Sequence, residues 1–298
     1  MSAIDELVRH TRAAAASVAG SVVSIGSDGR GSGFVVAADR VVTNVHHLRD
    51  RTTSVRFADG RVAQGTVVGT DGDGDLAVLE VVTGDAAPLT WSESTPEMGD
   101  IVLSVSRDHA SASVTSGQVS SIARAFRGPR GRRIEGGIEH TAPMRRGASG
   151  GPLLALDGRV IGINTHRLDA GFYLARSGTE SLRALVGKLA SGESVRRPHL
   201  GVAVAPPPVT RKLRQSVGLS EVDGLLVRSV ETDSPAGRAG VLVGDVLVRA
   251  DGAVLEAPDL LLDALAAAGD SLALHIVRGV EQLDVIVTFG EPAPRTEA

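Results

Sequence analysis

Three short segments carry residue types that could do chemistry together. Gly147-Ala148-Ser149-Gly150-Gly151-Pro152-Leu153 sets a serine among glycines. A serine hydroxyl is a poor nucleophile at neutral pH, so a hydrolase holds it on a tight turn where neighbouring backbone N–H groups can point at a developing oxyanion. Glycines on both sides permit such a turn. Val42-Thr43-Asn44-Val45-His46-His47 places two histidines after a β-branched run, at a strand end from which an imidazole could act as general base across a cleft. Asp71-Gly72-Asp73-Gly74-Asp75-Leu76-Ala77-Val78-Leu79 puts an acid at the start of an apolar run. In chain order these supply a base, a carboxylate and a nucleophile, the parts of an acyl-transfer triad.

Each part has competitors. Either His46 or His47 could be the base, although alternation along a strand would point the two rings apart. Asp71 and Asp73 compete with Asp75; only Asp75 directly precedes the Leu-Ala-Val-Leu run, and the other two read as solvated turn residues. The spacing of the three aspartates also suggests a calcium loop. That reading fails, because the positions needing glycine and glutamate hold Leu76 and Val82. The glycines before Phe34 hint at a phosphate cradle, but a strand (Phe34-Val35-Val36) follows where a helix N-terminus would be required.

The elements that must position these residues are short. From Val22 to about Arg176 the chain is a series of β-branched runs divided by glycine and aspartate turns, which predicts antiparallel barrels or sandwiches and argues against βαβ units. Ser181 to Leu189 changes period: Leu182, Leu185, Val186 and Leu189 share one helical face, closed by Ser191-Gly192. A second unit follows, with a Pro206-Pro207-Pro208 loop, strands near Gly224–Val230 and Asp245–Ala250, and a helix from Asp259 to about Ala268. Near the N-terminus, Ile4, Leu7 and Val8 predict an amphipathic helix.

Composition narrows the function classes. The 298 residues hold 35 acidic and 31 basic side chains, a formal charge of −4, without the basic excess of a sequence-tolerant nucleic-acid binder. Five Phe, one Tyr and one Trp are too few for a base-stacking platform, so no nucleic-acid partner is expected. With no cysteine there is no disulfide framework, no thiolate metal site and no thiol nucleophile; a hydrolysis carried by serine, histidine and aspartate is expected to use no metal and no cofactor. The uncharged run Ala13–Ser27 is dominated by Ala, Ser and Gly, falls short of the roughly 20 residues of a membrane span, and follows Asp5 and Glu6. It reads as helix leading into strand rather than as a secretory leader or membrane segment, and on that ground a cytoplasmic protein is expected.

Together, G-x-S-G-G-P-L, T-N-x-H and D-L-A-V-L, in register and followed by one C-terminal module, resemble the HtrA (Deg) group of trypsin-like serine proteases over about Ser21 to Gly290. The resemblance implies a mainly β protein: a chymotrypsin-like double β-barrel protease domain (1–193), a linker (194–198), a small α+β PDZ domain (199–290) and a disordered tail (291–298). It implies His46 as general base, Asp75 as the carboxylate orienting it, Ser149 as nucleophile, and the N–H groups of Gly147 and Ser149 as oxyanion hole. His47 falls on a position that is apolar in the family. The implied activity is a serine endopeptidase acting on unfolded or misfolded proteins; the competing expectation is an HtrA-like chaperone that docks peptides with its chemistry latched.

The second module resembles a PDZ domain through Arg197, Leu200, Gly201 and Val202 and through the Ser234–Asp245 stretch. Such a domain adds a C-terminal peptide as a strand and captures its carboxylate on backbone N–H groups. His199, Leu200, Gly201 and Val202 are the implied peptide-binding residues, with Leu261 or Leu262 and Leu265 closing the groove. The chain departs from the family pattern at Ala148, where Asn is usual, and at Arg145-Arg146, where Asn-Pro is usual. The segment before Phe34 lacks the aromatic residues of the family's trimer clasp, leaving the expected homo-oligomer undefined. Arg124, Arg127, Arg130, Arg132 and Arg133 fall where the family has an activation and sensor loop. Pro143, six residues before the serine, excludes the acid that would select Lys or Arg at the cleaved bond.

Overall fold

A computed structural model describes residues 2–128, 133–168, 171–195 and 198–289. The chain divides into two compact units, Met1–Val195 and Arg196–Ala298.

The first unit opens with helix α1 (Ala3–Val18), capped by Ser2, whose hydroxyl accepts from the Asp5 N–H while the Asp5 carboxylate accepts from the Ser2 N–H. Its buried residues are Ala14 and Val18; Ile4 and Val8 remain exposed, so the apolar face expected from Ile4, Leu7 and Val8 is not the one that packs. Small residues win here because the helix lies close to the barrel: the Ala14 Cα is 3.6 Å from where a Cβ on Gly158 would sit.

Twelve strands then form two closed six-stranded antiparallel barrels. The first is built from β1 (Val22–Ile25), β2 (Gly31–Ala37), β3 (Arg40–Thr43), β4 (Thr52–Arg56), β5 (Val62–Asp71) and β6 (Leu76–Glu80), in the order β1-β2-β3-β6-β5-β4. The second contains β7 (Ile101–Arg107), β8 (Ala112–Arg127), β9 (Arg133–His140), β10 (Pro152–Leu154), β11 (Val160–Arg167) and β12 (Tyr173–Ser177), in the order β10-β11-β12-β9-β8-β7. Closure leaves no free edge for stray pairing. Val23, Ile25, Val35, Val41, Val55 and Leu79 fill the first barrel, and Val102, Ile138, Leu153 and Ala175 the second.

A further cluster, including Phe34, Leu76, Leu103, Val105 and Ile163, joins residues of both barrels. Helix α2 (Glu180–Ala190), capped by Thr179, adds Leu182, Val186 and Leu189 to it, the face its sequence predicts. The stretch expected as a linker begins with two residues held by β5: the Val195 N–H donates to the Thr70 carbonyl at 2.9 Å and the Thr70 N–H to the Ser194 hydroxyl at 3.1 Å. Arg196 and Arg197, like Arg130, Arg132 and the 291–298 tail, lie outside the described residues.

The second unit is a sheet in the order β13-β14-β15-β17-β18 with β16 beside β15. Its elements are β13 (Val202–Ala205), α3 (Pro207–Ser216), β14 (Leu225–Val230), α4 (Pro235–Arg238), β15 (Val246–Ala250), β16 (Ala253–Val254), α5 (Pro258–Ala267), β17 (Ser271–Arg278) and β18 (Glu281–Thr288). The prolines expected to form a loop instead open α3, with Pro206 at its cap. Proline suits a helix's first turn, where its missing N–H would have no partner in any case. Leu261 and Leu265 of α5 belong to the buried core with Leu225, Val227 and Leu274.

Candidate active site

The imidazole of His46 is set by the residue expected to orient it. Its Nδ1 lies 2.6 Å from Asp75 Oδ2, and its backbone N–H donates to Asp75 Oδ1 at 3.0 Å. A carboxylate oxygen only accepts, so Nδ1 carries the proton and Nε2 is left with a free lone pair. The Asp75 carbonyl in turn accepts from Asn44 Nδ2 at 2.7 Å and the Val45 N–H at 3.4 Å. Every hydrogen-bonding oxygen of Asp75 thus faces residues 44–46. Asp75 is buried and adopts φ 57°, a left-handed conformation that aspartate tolerates better than most residues.

The loop before Asp75 is braced by groups the motif did not reveal. Asp71 is fully buried rather than solvated, and its Oδ1 accepts from the Gly74 N–H at 3.1 Å. Arg176 on β12 donates to the Gly74 carbonyl at 2.7 Å and lies 3.6 Å from Asp71 Oδ2. Gly74 has no room for a side chain, since a Cβ there would sit 2.0 Å from Asp71 Oδ2.

The serine turn is assembled against β2. Ser32 is buried; its N–H donates to the Ser149 carbonyl at 2.9 Å and its hydroxyl to the Gly147 carbonyl at 2.7 Å. From the other side, the Gly150 N–H donates to the Asn164 carbonyl at 2.8 Å, and the Asn164 N–H to the Gly151 carbonyl at 2.9 Å. Gly147 and Gly150 have φ of 83° and 81°, and a Cβ on Gly150 would lie 2.2 Å from the Ser32 carbonyl. These two positions therefore require glycine on both counts.

With the Gly147 and Ser149 carbonyls drawn to Ser32, the N–H groups of the same two residues have no acceptor among the described residues. Two free backbone donors at and beside a serine can hold an anionic oxygen when both are directed at it. The Ser149 hydroxyl itself also has no hydrogen-bond partner among the described residues.

His47 does not point away from His46. Residues Val45–His47 form a single 3-10 turn in place of a continuing strand, and the two rings lie 4.1 Å apart. Burial, reinforced by the neighbouring His46, pushes the His47 imidazole down to about 4, so the ring is neutral at physiological pH. Its Nε2 is 3.1 Å from the Ser149 carbonyl.

In the second unit, Leu200 is buried and Gly201 adopts φ 78°, with the Ser234 Cβ 2.1 Å from where a Cβ would lie. The Leu200 and Gly201 N–H groups have no acceptor among the described residues, and His199 Nε2 pairs with Glu231 Oε2 at 2.8 Å. Val202 begins β13, which is an outer strand of the sheet. Arg197 lies outside the described residues. Among the described residues, no group of three or more His, Asp or Glu side chains is placed to hold a metal ion.

Two closed antiparallel barrels, with a paired His and Asp on one and a glycine-flanked serine on the other, define the class of trypsin-like serine peptidases. Residues 31–163 match the family described as trypsin-like peptidase domain, and residues 226–278 match the PDZ domain family. The chain is 33% identical over 279 residues to the putative serine protease HhoA of Synechocystis, covering 87% of this chain and 70% of that protein. It is 33% identical over 274 residues to a probable periplasmic serine endoprotease, DegP-like, of Halomonas elongata, covering 88% of this chain and 56% of that relative's length. The solved structure of the HtrA-type protease AlgW with tripeptide superposes with a TM-score of 0.59 at 27% identity, over 96% of this chain and 99% of that one. The chain belongs to the HtrA family of trypsin-like serine proteases, with a barrel pair and a PDZ domain, and spans about half the length of the DegP-like relatives it matches.

These relatives correct one expectation. Several are named periplasmic endoproteases, from Halomonas and Brucella among others, which overturns the cytoplasmic reading. The cytoplasmic expectation takes Ala13–Ser27 as ordinary folded sequence. The run does fold, as the end of α1 and strand β1, but a folded helix carries no information about the compartment a chain works in.

Proposed function

We propose that this chain hydrolyses peptide bonds of unfolded or misfolded proteins outside the cytoplasm. Ser149 acts as nucleophile, His46 takes its proton through Nε2 and returns it to the leaving amine, and Asp75 holds the imidazole in that tautomer and stabilises the imidazolium. The N–H groups of Gly147 and Ser149 receive the oxyanion of the tetrahedral intermediate. The observation that carries the reading is the double grip of Asp75 on His46, because it fixes both the tautomer and the backbone of the base.

The PDZ unit docks the C-terminus of a substrate or regulatory peptide, which pairs with β13 while the N–H groups at His199–Val202 hold its carboxylate. A purely docking, chemically latched protein is the less favoured reading, since the relatives are named as serine proteases or endoproteases. Intact-mass labelling with a fluorophosphonate tests the proposal. One adduct, lost in Ser149→Ala and strongly reduced in His46→Ala, supports it; no adduct in the presence or absence of a peptide ending in an apolar residue rejects it.

A further inference from the structure

His47 is the group near the site that the triad leaves unused. Its side chain is buried, with the residue only 5% exposed, and its ring fills the space above Gly31 so closely that a Cβ there would sit 2.2 Å from a ring carbon. A position that only needed filling would be served by an apolar side chain. The imidazole instead leaves Nδ1 buried without a hydrogen-bond partner among the described residues. An unpaired buried polar atom is destabilising, so the other nitrogen must supply something an apolar residue cannot.

What it supplies is a second donor to the nucleophile's carbonyl. A neutral imidazole facing a carbonyl oxygen must present N–H, so Nε2 donates to Ser149 O at 3.1 Å, beside the Ser32 N–H at 2.9 Å. The peptide unit after Ser149 is then fixed at both ends, its oxygen by two donors of the first barrel and its N–H by the Asn164 carbonyl of β11. The same 3-10 turn carries both His46 and His47. One short segment therefore holds the base and also the backbone of the residue whose proton the base must take.

We propose that His47 is a positioning residue for acylation: by donating to the Ser149 carbonyl from the turn that carries His46, it sets the register between nucleophile and base. The inference rests on the reading of Ser149 as nucleophile.

The test compares His47→Gln, which retains an N–H donor, with His47→Leu and His47→Met, which have none. Two readouts are taken on the full chain: the rate of fluorophosphonate labelling, and hydrogen exchange in the segment 147–151, with thermal unfolding confirming a folded state. The donor-free variants are expected to label about tenfold slower or more and to exchange faster in that segment, while His47→Gln stays within about threefold of the parent. With peptide substrates the loss should fall on kcat and leave KM nearly unchanged. If a folded donor-free variant labels like the parent, or if glutamine loses as much as leucine, the proposal is overturned. If the parent chain itself takes no label, the nucleophile reading fails, and exchange alone then decides: no faster exchange in the donor-free variants overturns the positioning role.

Discussion

Arg176, on the second barrel, donates to the carbonyl of Gly74, the residue immediately before Asp75 on the first. The proposed triad acid is thus braced across the two barrels. Arg176 is largely buried and also lies beside the fully buried Asp71. Removing one member of such an arrangement leaves the other charge poorly compensated. Arg176→Met is expected to lower stability by about 3 kcal/mol and to reduce turnover beyond what unfolding explains. Urea titration and activity measured on the remaining folded fraction check both parts.

Asp75→Asn should be far more damaging to chemistry than to folding. An amide at that position can present N–H to the imidazole and favour the tautomer with its proton on Nε2, which cannot accept from Ser149. A fall in kcat of about 10⁴-fold with a native-like circular dichroism spectrum is expected, read with a fluorogenic peptide. A loss below about tenfold would remove Asp75 from the triad.

Acid should destabilise the first unit through two histidines. Burial pushes both His47 and His140 from the ordinary 6.5 down to about 4. Between those values the unfolded chain binds a proton at each site that the folded chain refuses, so stability falls as pH drops from about 6.5 to about 4 and is fully present above that window. Each site contributes a loss of about 3 kcal/mol by the lower end. His140→Leu should abolish about half of the loss in the urea midpoint between pH 7 and pH 4.5, even if it lowers stability at pH 7.

Gly31 and His47 should behave as a matched pair. Gly31→Ala drives a methyl group into the imidazole and is expected to cost about 2 kcal/mol or more. Adding His47→Ala should return part of that loss, giving a coupling energy of at least about 1 kcal/mol in a double-mutant cycle. Additive effects would mean that the loop moves aside to absorb the clash.

For the PDZ unit, a peptide ending in an apolar residue with a free carboxylate should bind, while the same peptide with a C-terminal amide should bind at least about tenfold more weakly. Calorimetry on the Ser149→Ala chain avoids cleavage during the titration. Equal affinity for both peptides would place the docking site away from Leu200 and Gly201.

What the sequence exposes is chemistry carried within a few residues. The glycine turn around Ser149, the acid ahead of Leu76 and the histidines after Val42 each sit in one contiguous segment, so local order alone names the participants. The supports are another matter. Ser32, Asn164 and Arg176 act on residues up to 117, 14 and 105 positions away, and no local pattern marks an ordinary serine, asparagine or arginine for such a contact. Asp71 is hidden for the same reason: its Asp-Gly setting looks like a solvated turn until closure of the barrels buries it. The place of His47 is not legible either, because strand alternation stops at a 3-10 turn in which the two successive rings come together. The three prolines before Val209 are ambiguous between loop and helix start, and only the following residues decide it.

The dependence of the serine turn on Ser32 reaches beyond geometry to the order in which the molecule comes to life. Ser32 is translated and folded with the first barrel, whereas the turn it grips arrives more than a hundred residues later. A chain caught with one barrel closed owns the serine but not the shape that sharpens it. On the proposed function, a half-melted copy is therefore disarmed among its neighbours, because the serine turn takes its shape only while the strand that carries Ser32 is in place.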